Sequence, residues 1–336
     1  MRKESTRSGH PFFGASLLLA AAMLFAPLAA DAAAPYSLPA AARELAAARA
    51  QSDAPTEGGA GPRVLLVGDS WTEFMWVNRN VRDMFAAQGR ADLVELGGAT
   101  TISGSTAEDW VTPGNLAEIT DALANNPTID VVQLTIGGND FLAGQSGGGW
   151  FAGIDDVSRD ALLAQITGDV GTVIDHILGL DPNIWIVLSL YDYPNFVESR
   201  FGLLFFTCDD LWDDLGQPTP REINDAGVLL EDAVDAVVAT RPRVLSVRHG
   251  GTMQEAFGFS DMGIAPGALP RPGDLDLQSP IESMFLQADC IHLRPSGYDE
   301  IVLNLWNGAY RWLYEERMFF DGFETGDAVR WSPGAE

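Results

Sequence analysis

The chain has 336 residues, 46% of them hydrophobic, which is enough to bury the core of one sizeable α/β domain. Its formal net charge is −27, from 20 Lys and Arg against 47 Asp and Glu. A surface with that charge repels the phosphate backbone of nucleic acids and anionic lipid headgroups, so we expect no nucleic-acid partner.

Residues 1–32 have the pattern of a secretory signal peptide. A basic start precedes an apolar run over residues 12–28, and Ala30 and Ala32 supply the small residues of a cleavage site. The alternative is a retained membrane anchor, but Pro27 interrupts the run and no charged stop-transfer cluster follows it. We therefore predict cleavage after Ala32 and a secreted or periplasmic protein without a stable membrane anchor.

Residues 33–62 are predicted to be an N-terminal helix, over residues 39–51, and a linker. The main domain is predicted over residues 63–316, followed by an acidic C-terminal tail over residues 317–336. Within the domain, short β-branched runs alternate with longer segments of helical periodicity. The predicted strands are residues 64–67, 93–96, 130–136, 184–190 and 244–247, and the predicted helices are residues 72–88, 115–125, 157–180 and 221–240, with a last helix that Ser296 caps.

Because these strands are almost continuously apolar, we expect a parallel sheet covered on both faces, in a three-layer α/β/α sandwich. Ligands in such sheets bind beyond the carboxyl ends of the strands. Three long connections follow strands at that end, over residues 141–155, 191–220 and 249–288. Their aromatic residues have two open interpretations, loop packing and an apolar substrate cleft. They are Trp150, Phe151, Tyr193, Phe196, Phe201, Phe205, Phe206, Trp212, Phe257 and Phe259.

A candidate nucleophile follows the first predicted strand. Gly68, Asp69, Ser70 and Trp71 stand between this strand and a helical pattern, so Ser70 lies at a helix N-terminus, where the backbone favours negative charge. The alternative is a purely structural role, in which Ser70 only caps the helix.

Further motifs follow the next two strands at the same edge of the sheet. Gly104 lies after the second strand, and Gly137, Gly138 and Asn139 lie after the third. Glycine lets a backbone N–H approach a ligand closely, and an Asn side chain supplies two more donors. These are the parts of an oxyanion hole.

A candidate base stands immediately before the last helix, in the segment from Asp289 to His292. A nucleophilic hydroxyl needs a base, and the base needs an acceptor that fixes its tautomer. The other histidines are less well placed, because His10 lies in the signal peptide, His176 lies in mid-helix and His249 has no comparable carboxylate.

Together, the segments GDSW, ISGSTAEDW, IGGNDFL and DCIHLRPSGY resemble the four ordered blocks of the SGNH (GDSL-like) hydrolase family. By this resemblance, Ser70 is the nucleophile, His292 the general base and Asp289 the residue that orients His292. The oxyanion would be held by the backbone N–H groups of Ser70 and Gly104 and by the side-chain amide of Asn139. The family implies a flavodoxin-like five-stranded parallel sheet.

One residue departs from the motif that names the family, because Trp71 stands where that motif has leucine. With the signal-peptide pattern, the resemblance predicts a secreted serine esterase without a cofactor. The chain has too few histidines for a zinc site and no EF-hand spacing of carboxylates, so we expect no metal. The aromatic loops favour a lipid or short-chain acyl ester as substrate. The alternatives are a carbohydrate O-deacetylase of the same fold and a non-catalytic carbohydrate-binding domain. A flavodoxin-type cofactor binder has no need of Asp289 and His292.

The only two cysteines are Cys208 and Cys290. Because a secreted chain meets an oxidising compartment, we expect them to be joined by a disulfide rather than to remain as two buried thiols. Such a bond would tie the long connection over residues 191–220 to the segment that carries His292.

Overall fold

The structure, a computed structural model, describes residues 61–199, 208–287 and 289–316. The signal peptide predicted over residues 1–32, the helix predicted over residues 39–51 and the tail predicted over residues 317–336 lie outside the described residues.

The predicted parallel sheet is present. Its strands are β1 (Val64–Gly68), β2 (Glu95–Leu96), β3 (Val131–Thr135), β4 (Trp185–Ser189) and β5 (Val244–Val247). They form one five-stranded sheet in the order β2-β1-β3-β4-β5, and every pairing is parallel. This is the flavodoxin-like strand order, so the predicted fold class is confirmed.

Helices cover both faces of the sheet. They are α1 (Ser70–Asn78), α2 (Asn80–Ala87), α3 (Ala107–Trp110), α4 (Pro113–Asn125), α5 (Gly138–Leu142), α6 (Gly144–Gly147), α7 (Asp156–Leu180), α8 (Phe196–Ser199), α9 (Asp209–Asp214), α10 (Pro220–Val238), α11 (Thr252–Phe257) and α12 (Pro295–Leu305).

Side chains alternate between the two faces along β1, as the pleat of a strand requires. Leu65 and Val67 pack with residues of α3, α4, α7 and α10 in one core layer. Val64 and Leu66 pack with residues of α1, α2 and α12 in the other. The chain continues after α12 through two π-helical turns, Trp306–Tyr310 and Trp312–Glu316.

The prediction of one helix over residues 72–88 is wrong, because the structure has two helices there. Arg79 takes the left-handed conformation with φ of 63°, and its N–H bonds to the carbonyls of Met75 and Trp76. Asn80 then begins α2 and donates from its side chain to the Pro295 carbonyl, at 3.1 Å. This contact joins segments far apart in sequence, so helical periodicity gives no sign of the break.

The prediction that Ser296 caps the last helix is also wrong. The helix begins one residue earlier, at Pro295, and Arg294 occupies the N-cap without a side-chain hydrogen bond. Proline suits the first helical position because its fixed φ matches the helix and its missing N–H is not needed there.

The long connections at the carboxyl edge of the sheet contain short helices, α6, α8, α9 and α11. No helix within residues 61–199, 208–287 and 289–316 combines the length and apolar character that a bilayer span requires.

Candidate active site

Ser70 lies directly beyond the end of β1. Gly68 ends the strand so close to β3 that a side chain there would collide with the Thr135 carbonyl oxygen. Asp69 is the N-cap of α1 and accepts a hydrogen bond from the Trp71 N–H at 3.0 Å. Ser70 is therefore the first residue of a helix, so its backbone N–H has no carbonyl partner one turn earlier in the helix.

The structure brings Ser70, His292 and Asp289 together in one hydrogen-bonded chain. The Ser70 Oγ lies 2.8 Å from the His292 Nε2, and the His292 Nδ1 lies 2.8 Å from the Asp289 Oδ2. The tautomer that carries its proton on Nδ1 satisfies both bonds and leaves Nε2 to accept from the serine hydroxyl. Ser70 is 1% exposed and His292 is 4% exposed, so water hardly competes for these bonds.

Local hydrogen bonds hold the segment that carries the imidazole. The Asp289 Oδ1 accepts from the backbone N–H groups of Ile291 and His292, each at 2.8 Å. The His292 carbonyl in turn accepts from the Phe285 N–H at 2.9 Å. The ring of Phe74, from α1, lies 5.2 Å from the imidazole ring. One carboxylate therefore folds the loop and orients the base.

The charges around the imidazole favour its protonated form. Burial acts to lower the pKa of His292, but the charge and hydrogen bond of Asp289 outweigh burial, and Asp69 and Glu73 add to them, so this pKa is raised above 6.5. Burial acts to raise the pKa of Asp289, but the charge and hydrogen bonds of His292 outweigh it, so this pKa is lowered. Asp289 therefore stays ionised and stabilises an imidazolium.

The two predicted oxyanion-hole segments lie against each other and against the end of β1. The Asn139 Nδ2 donates to the Ser105 carbonyl at 2.9 Å, so one of its two protons is used and the other is available. Gly104 precedes Ser105 and has a φ of 78°, which favours glycine. The Ile102 N–H donates to the Gly68 carbonyl at 2.7 Å, which fixes this segment beside Ser70.

Sequence reasoning missed the part that Tyr191 plays. Its phenol group donates a hydrogen bond to the Asp69 Oδ2, and its ring stacks on Trp71 with the ring centroids 4.8 Å apart. Burial raises the pKa of Asp69 to about 7, although the hydrogen bond from Tyr191 acts against it. The sequence signal that could have identified Tyr191 is its position, because it closely follows the fourth strand at the carboxyl edge of the sheet.

The structure joins Cys208 and Cys290 in a disulfide. The Cys290 carbonyl also accepts from the Asn195 N–H at 2.8 Å. Both cysteines are buried, and Cys290 lies between Asp289 and His292 in the sequence. In the part of the chain that the structure describes, Cys208, Asp289 and Cys290 are the only group of His, Cys, Asp and Glu near enough to share an ion. Disulfide sulfurs are not thiolate ligands.

The other histidines within the described residues lie elsewhere. His176 bonds to Thr120 at 2.9 Å, on the outer side of α7 and α4. His249 is buried, and its Nδ1 is bonded to the Asn304 amide at 2.9 Å. The ring of His176 bonds to Thr120 and to the Leu116 carbonyl, and that of His249 to Asn304, so neither is paired with a carboxylate as His292 is.

Four of the ten loop aromatics are buried in the structure. Trp150, Tyr193, Phe196 and Phe259 are buried, and Trp150 stacks on Phe141 with centroids 5.5 Å apart. Phe151, Trp212 and Phe257 are half-buried. The three phenylalanines at positions 201, 205 and 206 lie outside the described residues. Loop packing is thus the better interpretation for the buried members.

No family model matches the chain, and no curated protein matches its sequence. Solved structures similar to this one include a GDSL-like lipase from Parabacteroides merdae, with 12% identity and a TM-score of 0.43 over 76% of this chain and 99% of that chain. A family 3 carbohydrate esterase from Talaromyces cellulolyticus has 13% identity and a TM-score of 0.40 over 74% of this chain and 97% of that chain.

Another family 3 carbohydrate esterase, from Clostridium thermocellum, has 15% identity and a TM-score of 0.38 over 74% of this chain and 96% of that chain. Their names fall in the class that the four sequence blocks resemble, the SGNH-type hydrolases. Similarity at this level carries no argument about this chain, so its function has to be argued from the geometry of its own site.

Proposed function

We propose that this chain is a serine ester hydrolase that forms an acyl-enzyme on Ser70. The observation that carries the proposal is the continuous hydrogen-bonded chain from Asp289 through His292 to Ser70, with 2.8 Å in each bond. A hydroxyl is a weak nucleophile until an adjacent base accepts its proton, and the base works best when a third group orients it. No packing role requires these three groups in this order.

In the proposed mechanism, the Ser70 Oγ attacks the ester carbonyl while the His292 Nε2 takes the hydroxyl proton. Asp289 stabilises the resulting imidazolium. The negative oxygen is held by the N–H groups of Ser70 and Gly104 and by the Asn139 amide. Collapse of this intermediate transfers the proton from His292 to the leaving alcohol, and water then repeats the cycle on the acyl-enzyme.

The site by itself does not set the alcohol part of the ester. Lipid esters, small-molecule esters and acetylated polysaccharides all suit the same constellation, because fold and triad do not determine specificity. A carbohydrate-binding domain without activity is a weaker proposal, since it would not need a base that bonds to a buried serine. From the pattern of residues 1–32, we propose that the protein is secreted or periplasmic.

The test compares Ser70→Ala, His292→Ala and the double variant in the hydrolysis of short-chain esters. Each single change should remove most of the rate at an unchanged circular dichroism spectrum, and the double variant should be hardly slower than either, since triad members act as a unit. His176→Gln is the matched control, because His176 lies outside the site. Additive losses, or a Ser70→Ala variant that keeps its rate, would refute the proposal.

A further inference from the structure

An apolar cavity lies beside the proposed catalytic groups, and the mechanism above makes no use of it. Three of its wall residues adjoin those groups: Gly138 precedes Asn139, Ile291 precedes His292, and Tyr191 bonds to the residue before Ser70. The cavity therefore lies against the segments that carry Asn139 and His292 and against the tyrosine that bonds to Asp69.

The rest of the wall is mainly hydrocarbon. Phe141, Leu142 and Leu190 extend it from the ends of β3 and β4, and Ile223 and Leu230 close it from α10. All five are buried, so the cavity is enclosed by the core rather than by mobile surface chains. Such a wall suits an uncharged alkyl group.

The polar residues of the wall are few, and several of their atoms are already engaged: the Asn224 Nδ2, for example, donates to the Leu277 carbonyl at 2.9 Å, although its Oδ1 has no partner. Asp192 accepts hydrogen bonds from the backbone N–H groups of Gly251, at 2.8 Å, and Met253, at 2.6 Å. Glu231 lies 4.0 Å from the Arg248 guanidinium. None of the described residues that line the cavity is cationic, so the cavity offers no partner to an acyl group that carries its own carboxylate.

The size of the cavity limits the chain that it can hold. Its volume is about 60 Å³. Since an apolar cavity of about 150 Å³ holds a benzene ring, this one has room for an acyl group of about two to four carbons.

We infer that this cavity is the acyl pocket of the enzyme and that it selects esters of short, uncharged fatty acids, from acetyl to butanoyl. The inference rests on the function proposed for Ser70. It assigns Gly227 of α10 as a specificity-determining residue, because Gly227 lines the cavity and a Cβ atom added there would meet no atom within 4 Å. The space that this glycine leaves open belongs to the pocket.

The experiment measures kcat/KM for acetyl, butanoyl, hexanoyl and octanoyl esters of one chromogenic alcohol, in the wild type, Gly227→Ala and Gly227→Leu. Loss of one methylene of room in an apolar pocket changes the rate by about tenfold or more. Gly227→Leu should therefore lower the butanoyl-to-acetyl ratio at least about tenfold, with a smaller change for Gly227→Ala. Leu230→Ala should shift the ratio in the opposite direction, toward hexanoyl.

Gly168→Leu is the matched control, because Gly168 is an exposed glycine inside α7 that also has no atom within 4 Å of an added Cβ and does not line the cavity. It should keep the wild-type ratio. A wild type that hydrolyses octanoyl esters as fast as butanoyl esters, or a Gly227→Leu variant with an unchanged ratio, overturns the acyl pocket while Ser70-dependent hydrolysis still stands. If no ester is hydrolysed in a Ser70-dependent way, both proposals fall.

Discussion

The phenol oxygen of Tyr191 donates a hydrogen bond to Asp69, the residue immediately before the candidate nucleophile. The same tyrosine ring stacks on Trp71 and lies so close to Gly138 that a side chain at Gly138 would collide with it. One side chain from the end of β4 thus joins the turn that carries Ser70 to the segment that carries Asn139.

Tyr191→Phe keeps the ring and removes only this donor. Because the hydrogen bond acts to lower the pKa of Asp69, its loss should leave Asp69 neutral at pH 7, and His292 then loses part of the negative charge that raises its pKa. We expect kcat to fall about tenfold and the acid limb of kcat/KM to move to lower pH.

Tyr310→Phe is the control for this variant, since it removes another buried tyrosine hydroxyl, bonded to the Gln133 side chain at 2.7 Å, outside the site. A Tyr191→Phe enzyme that loses stability but keeps the wild-type pH profile would make Tyr191 a purely structural residue.

Asn139→Ala should lower kcat by on the order of 100-fold or more, with little change in KM, if the second proton of its amide meets the oxyanion. Steady-state kinetics with an acetyl ester separates the two constants. Asn115→Ala, which removes an exposed amide bonded to the Asp109 carbonyl, is the control and should be neutral. A loss confined to KM would instead make Asn139 a residue that binds the substrate in its ground state.

The disulfide between Cys208 and Cys290 should couple stability to catalysis. It closes a loop with a sequence separation of 82 residues. The chain-entropy model gives an upper limit of about 4 to 5 kcal/mol of stabilisation for such a loop. Reduction should lower the melting temperature and also kcat, since a displacement of the imidazole by about 1 Å can cost about 100-fold in rate.

Non-reducing mass spectrometry of the purified protein tests the bond itself, and two thiols open to alkylation would refute it. If the bond is present but reductant changes neither kcat nor the melting temperature, the coupling is absent.

Four buried carboxyl groups should make the protein less stable as the pH rises from about 4.5 to 7, and together they outweigh buried His249, whose pKa is lowered to about 3 and whose contribution has the opposite sign. Burial raises the pKa of Asp69, Glu95, Asp192 and Glu231 to about 7 in the folded state. A group with a raised folded pKa stabilises the protein fully below its unfolded pKa, and that contribution is lost as the pH rises through the folded pKa.

Urea unfolding at pH 5, 6, 7 and 8 measures this trend, and Glu95→Gln should reduce the slope, because a glutamine binds no proton. Glu95 lies on β2 beside Arg82 of α2, at 3.3 Å, and is not one of the proposed catalytic residues. A free energy of unfolding that rises between pH 5 and 7 would contradict the assignment of these carboxyl groups.

Much of the fold follows from local sequence. The strand cores and the ends of α7 and α10 could be predicted, because continuous apolar runs and capping residues act within a few positions. The break at Arg79 could not, because it depends on the contact of Asn80 with Pro295. The candidate residues Ser70 and Asn139 could be selected from short motifs at the ends of strands, and Asp289 and His292 from the segment before the last helix.

The role of Tyr191 and the cavity at Gly227 could not be predicted, because each depends on which distant segments meet. Tyr191 reaches Asp69 across a sequence separation of 122 residues. A glycine inside a helix gives no sign in the sequence that its missing side chain leaves room for a ligand. Periodicity identifies a buried face, but it does not identify the part of that face left unfilled.

Covalent labelling tests the central claim most directly. A fluorophosphonate reacts when a serine oxygen attacks its phosphorus and fluoride leaves, so it reports an activated hydroxyl without any assumption about the natural ester. Peptide mass spectrometry of the labelled wild type should find one adduct, on Ser70, with none in Ser70→Ala and a greatly slowed reaction in His292→Ala. A wild-type protein that stays unlabelled, or an adduct on another serine that persists in Ser70→Ala, would contradict the account.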